Sequence, residues 1–156
     1  MGVSVNPSLI VGVKVNNIIK YQTEVETYEE HTPKGEKTGK IINEENTYLI
    51  ATVKNKVNKI LVNGRLYTDN IAELLEVENY PRKLRFGLFS LTHQDYTLDD
   101  FVLGIQILKC DAMVEESDRI PVSTLMVFSE EVKNIIKKTY NIDVTIEVFL
   151  DGGCSY

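Results

Sequence analysis

Cysteine and histidine are scarce in this chain of 156 residues, which holds two of each. Cys110 and Cys154 lie far apart and form neither a Cys-x-x-Cys pair nor a Cys/His ligand spacing, so the expectation is two reduced thiols. His31 and His93 make no His-x-x-x-His pair and no Asp-x-Asp-x-Asp-Gly loop is present, which argues against a metal. A P-loop and a G-x-G-x-x-G turn are also missing, so no recognised phosphate cradle exists. No apolar run approaches the ~18 residues that span a bilayer. The opening MGVSVNPSLIVGVKV has neither the basic nor the apolar region of a signal peptide, and a cytoplasmic protein without a membrane partner is expected. Repeats, linkers and low-complexity tracts are absent too.

Lys and Arg number 17 against 23 Asp and Glu, a net charge of −6. That balance argues against a nucleic-acid partner, which needs a basic face, but leaves room for a local anion pocket. Hydrophobic residues make up 43%, enough for the core of one domain over residues 1–156. Thirteen Lys stand against four Arg, and 15 Ile and 12 Asn against three Ala. This is the skew of an AT-rich genome.

Residues 9–15 form an apolar, β-branched run fit for a buried strand. A polar hairpin arm follows over about 18–53, its tip broken by Pro33, Gly35 and Gly39. Asn63-Gly64 between two apolar runs predicts a second hairpin. Asp69 is then the expected N-cap of a short helix with Ile71, Leu74 and Leu75 on one face. LRFGLFSLT and FVLGIQILK read as strands whose glycines, Gly87 and Gly104, mark a bulge or a close backbone approach. Residues 110–121 read as a loop. Ser123 is the expected N-cap of a helix to about Tyr140, with Leu125, Phe128, Val132, Ile135 and Ile136 buried and Asn141 as its left-handed stop. The last strand, DVTIEVFL, turns Val144, Ile146 and Val148 inward and ends in a flexible tail over about 151–156. The order predicts an α+β domain: one predominantly antiparallel sheet with a long N-terminal hairpin and two helices packed on one face, with room for one parallel pair.

Three groups are candidates for function. Glu24, Glu26, Tyr28 and Glu30 alternate onto one face of the arm, an acidic stripe able to dock a partner or simply to blunt an exposed edge. Arg65 with Tyr67, and Arg82, Lys83 and Arg85 beside Tyr80 and Phe86, pair arginine with aromatics as a small-anion or nucleotide pocket does. His93, Asp95 and Tyr96, with Asp99 and Asp100, make the densest titratable cluster. They fit a ligand site or a hydrolase centre, but no nucleophile accompanies them and a solvated turn has the same composition. No residue is assigned a catalytic role, and no cofactor is expected.

The VGVKV opening, the charged hairpin, FVLGIQI and the closing helix with VTIEVFL resemble small uncharacterised proteins of bacteriophages and mobile elements of AT-rich bacteria. The resemblance implies a non-catalytic binding protein, an inhibitor that sequesters a host protein or a small signalling ligand. The polar arm, with open strand edges, predicts a homo-oligomer, dimer or higher, and a phage source would place it in the host cytoplasm. The other readings are a small hydrolase using the His93 loop and a structural or assembly subunit. For the thiols the check is direct. Titration of freshly purified, unreduced protein returns two free thiols per chain, and a lower count overturns the reduced state.

Overall fold

Over Ile10–Val13, strand β1 (Ser4–Lys14) is buried on both faces: Val11 and Val13 turn toward one cluster and Ile10 toward another. The computed structural model describes residues 4–62, 64–91, 97–109 and 120–155. Among these residues, seven strands and two α-helices form an α+β fold. β1 is followed by β2 (Lys20–His31), β3 (Lys37–Val53), β4 (Lys56–Leu61), α1 (Thr68–Leu75), β5 (Phe86–Ser90), β6 (Phe101–Lys109), α2 (Val122–Tyr140) and β7 (Glu147–Ser155). The strands divide into two sheets where the sequence predicted one, ordered β5-β6-β1-β7 and β2-β3-β4, and all their pairings are antiparallel.

Both helices serve one core. α2 lies against β1, β6 and β3, and α1 against β3, β4 and β5, so each ties the two sheets together. Val132, Ile136 and Tyr140 of α2 meet Leu49, Ala51 and Val53 of β3, Leu103 and Ile105 of β6, and Leu74 and Leu75 of α1. Of the predicted stripe of α2, Val132 and Ile136 are buried, Leu125 and Phe128 are half-buried against the core, and Ile135 is half-buried; Tyr140 joins the buried set. Its hydroxyl donates to the Leu75 carbonyl at 2.9 Å, and burial, with the Glu76 charge, pushes the phenol well above its ordinary range.

Several local expectations are corrected. The turn after β3 is Lys54-Asn55, both at positive φ (50° and 65°), which joins β3 to β4 as a tight hairpin. Past Gly64 the chain enters α1, not a strand, so Arg65 and Tyr67 lie in a connection. Asn63 itself is outside the described residues. The caps are Tyr67 and Pro121, not Asp69 and Ser123; the Asp69 carboxylate instead accepts from Asn79 at 2.6 Å. Asn141 does stop α2 at φ 55°. The closing segment adds to the edge of β1 as an antiparallel strand, so no parallel pair forms, and its pairing continues to Ser155 opposite Ser4. The expected tail is thus strand as far as Ser155. On that edge Val148 is exposed, not inward. Residues 110–119, the predicted loop, lie outside the described residues.

Gly12, Gly104 and Gly87 stand side by side across β1, β6 and β5. A Cβ on Gly104 would overlap the Val11 carbonyl oxygen and lie 2.8 Å from the Gly12 Cα; one on Gly87 would overlap the ring of buried Pro81. At Gly12 and Gly104 the close backbone approach is the one of the two predicted alternatives that holds, while Gly87 makes room for the Pro81 ring. Replacing Gly104 by Ala should lower stability by about 1–3 kcal/mol, the range for overfilling a packed site. Urea unfolding reads this as a lower midpoint at constant slope. Lys34→Ala, exposed at the arm tip, should leave that midpoint in place. Equal midpoints for the two variants would refute the tight contact.

Candidate functional site

Alternation decides what the arm offers. In β3, Leu49, Ala51 and Val53 are buried and face the core, so Tyr48, Ile50 and Thr52 face away. Register carries that split across the sheet: Tyr48 lies between Gln22 and Leu61, and Ile50 between Lys20 and Lys59. Glu24, Glu26, Tyr28 and Glu30 therefore share the outward face, as the sequence places them. β4 pairs only with residues 48–53 of β3. Beyond them, residues 23–31 of β2 and 37–47 of β3 stand as a two-stranded ribbon, roughly 30 Å long at strand rise. No residue between 20 and 48 is buried.

A polar cluster fixes the root of this ribbon on the outward face. Lys59 Nζ reaches both Glu24 carboxylate oxygens at 2.7 Å and sits 4.0 Å from the centre of the Tyr48 ring. The Tyr48 hydroxyl donates to Glu26 Oε1 at 2.8 Å, and Gln22 donates to Glu24 at 3.1 Å. Such half-exposed ion pairs contribute ~0–1 kcal/mol each, so the cluster orients the arm more than it stabilises the body. Nothing in the sequence places Lys59, Tyr48 and Glu44 at this site. The Asn63-Gly64 signal paired β4 with the wrong segment and hid its alternation against β3. Glu26 lies directly opposite Glu44, a like-charge pair that costs rather than contributes.

Farther out the charges sort by position. Glu44 and Glu45 join the acidic shaft, while Lys34, Lys37 and Lys40 gather at the tip. There Thr32 and Glu36 close the loop through a 2.7 Å backbone bond and a bond from the Glu36 N–H to the Thr32 hydroxyl at 3.1 Å. Gly35 supplies the positive φ of 85° the turn needs.

The other candidates are dispersed. Arg65 and Tyr67 line a cavity of about 240 Å³ with Leu66 and Asn70. Arg82, Lys83 and Arg85 are exposed between α1 and β5 and line none of the described cavities. The two arginine groups therefore do not form one pocket among the described residues. His93, Asp95 and Tyr96 lie outside the described residues. Among those described, no three His, Cys, Asp or Glu side chains are placed to hold a metal, and no helix is long and apolar enough to cross a membrane. No protein-family model, no curated protein and no solved structure matches the chain.

The Tyr48–Glu26 bond has a pH signature. That bond first, then desolvation and the charges of Glu26, Glu24 and Glu44, raise the Tyr48 phenol above its ordinary 10.0. Because folding raises this pKa, the neutral phenol's contribution is complete below pH 10 and is lost as pH climbs through the folded value. Glu26→Gln should bring Tyr48 back toward the ordinary value. Ring-carbon NMR of Tyr48 across alkaline pH reads the shift, and an unmoved titration would mean the bond does not persist in solution.

Proposed function

We propose that this is a non-catalytic binding protein, of the inhibitor class found in phages and mobile elements, that captures a host protein through its β2–β3 arm. One observation carries the reading: residues 24–46 run almost throughout as strand or turn, and none of them is buried. Ordering a residue costs roughly 1–2 kcal/mol of backbone entropy, and a bare two-stranded ribbon is marginal in water. Burial within the chain does not offset that cost here. A surface contributed by a partner does.

The small-ligand alternative has less behind it. Pockets for such ligands run to about 300–1,000 Å³ with convergent polar groups. The cavity holding Arg65 and Tyr67 is smaller, at about 240 Å³, and the remaining arginine group lies elsewhere.

Two shortened proteins test the reading. Replacing residues 32–36 by Asn-Gly trims only the tip and joins His31 to Lys37, which already pair. Replacing residues 24–46 by Asn-Gly joins the paired Thr23 and Thr47 and removes the arm. Both should unfold cooperatively within a few degrees of the parent, since the core residues nearest the arm are Ile18, Ile19, Leu49, Ala51 and Val53. Purified from the cells that naturally make it and sized by light scattering, the tip-trimmed protein should keep the parent's associated mass. The armless protein should lose it. An armless protein of unchanged mass and biological effect sinks the proposal, and a parent that associates only with itself replaces the host protein by a second copy.

A further inference from the structure

Among the described residues, the outer edge of β2 has no strand beside it. β2 is the terminal strand of the β2-β3-β4 sheet, and in an antiparallel ladder every second residue turns its N–H and C=O away from the partner strand. Between Thr23 and Glu29 this edge carries no proline, glycine, lysine or register shift, the usual means of spoiling a strand edge; the first irregularity comes between Glu29 and His31. Thr23, Val25, Thr27 and Tyr28 favour extended backbone. The edge is regular and open over the length of the ribbon that buries nothing.

Charge decides what can occupy it. Two copies pairing β2 to β2 about a two-fold axis must set each residue opposite one of the same face. An axis at residue 24 or 26 places that glutamate against its own copy. An axis at residue 25 sets Glu24 against Glu26, at 27 Glu24 against Glu30, and at 28 Glu26 against Glu30. Like charges directly opposite destabilise a sheet. Moving the axis to Thr23 escapes this only by giving up residues 27–31. The glutamates thus exclude the second copy from the full edge and favour a strand with cations on the same face. Glu24 is already paired with Lys59, whereas among the described residues Glu26 and Glu30 have only hydroxyl partners, Tyr48 and Thr38.

Resting on the proposed partner capture, we infer that β2 takes an extended basic segment of another protein as an added fourth strand. About seven residues pair with residues 23–29, with a Lys or Arg opposite Glu26 and another just past the paired stretch to meet Glu30. Backbone bonds hold the segment and the carboxylates select it.

The test uses the full chain and synthetic nine-residue peptides alternating Lys with Val or Thr. Three companions are needed: the same peptide with Glu for Lys, one N-methylated on the residues of a single edge, and the protein variant Glu26→Lys/Glu30→Lys. Expected are binding of the basic peptide, slowed hydrogen exchange at alternate amides of residues 23–29, and at least tenfold weaker binding for the acidic peptide and for the peptide methylated on the docking edge. The charge-swapped protein, checked by its amide spectrum for an intact fold, should reverse the preference between basic and acidic peptides. Absence of binding, or binding that protects amides elsewhere or ignores N-methylation, overturns strand addition. Protection, in the peptide-free protein at a dimer's mass, of the β2 amides that face away from β3 overturns the choice of occupant. The two proposals fail separately: an armless protein that loses its partner while the peptides fail leaves the arm as the docking element and removes only this mode.

Discussion

Three side chains of one strand, Leu49, Ala51 and Val53, hold the second sheet to the rest of the molecule. They are at most 2% exposed and sit where α1, α2 and β6 converge. Backbone and side-chain bonds brace the same place: the Lys54 N–H donates to the Thr139 carbonyl at 2.7 Å, and Tyr140 reaches across to Leu75. β3 spans 17 residues, so a strand gripped only at its last few must project the remainder outward. The arm is thus a consequence of where β3 is anchored. Its own sequence needs only to remain extended and wet.

Stability and display are in this way assigned to different parts of the chain. The four-stranded sheet is covered on both sides, by the main core and by the smaller cluster of Ile10, Phe89 and Val102, and it closes through backbone contact at Gly12 and Gly104. Opening the ribbon exposes no buried side chain, so its local free energy of opening lies far below that of the body. The chain exposes 10542 Å², against about 8,000 Å² for a compact monomer of its mass, and an arm wet on both faces contributes to that excess.

What could be read from the sequence follows the reach of each signal. Period-two and helical patterns over long runs placed β1, β6, the arm and the stripe of α2, because burial on one side imposes them locally. Short signals did less well. Asn63-Gly64 has the composition of a tight hairpin, yet the turn that forms is Lys54-Asn55, since Val53 has a buried seat and the residues after Gly64 go on to α1. Asp69 and Ser123 look like caps, but a cap also depends on where the chain enters the helix, and that is set by tertiary contacts. The strand character of residues 151–155 is equally hidden, because DGGCSY gains its pairing only from the far end of β1. Of the candidate site, the acidic stripe was legible through alternation alone. Lys59 and Tyr48 were not, because their meeting with Glu24 and Glu26 spans three strands.

The charge pattern along the arm has a further consequence. Glutamates on an exposed edge are often read as protection against aggregation, and here they do oppose self-pairing in every central register. Protection alone accounts for the charges but not for the length of ribbon that carries them; a short arm, or a proline, achieves the same end with less ordered chain. Exposed carboxylates add little affinity in water and salt, yet they discriminate strongly between a basic and an acidic neighbour. An edge whose backbone is indifferent to sequence gains its selectivity from such side chains. The acidic shaft, with its cations kept to Lys59 at the root and to the lysines of the tip, is therefore arranged to choose between strands rather than merely to avoid them.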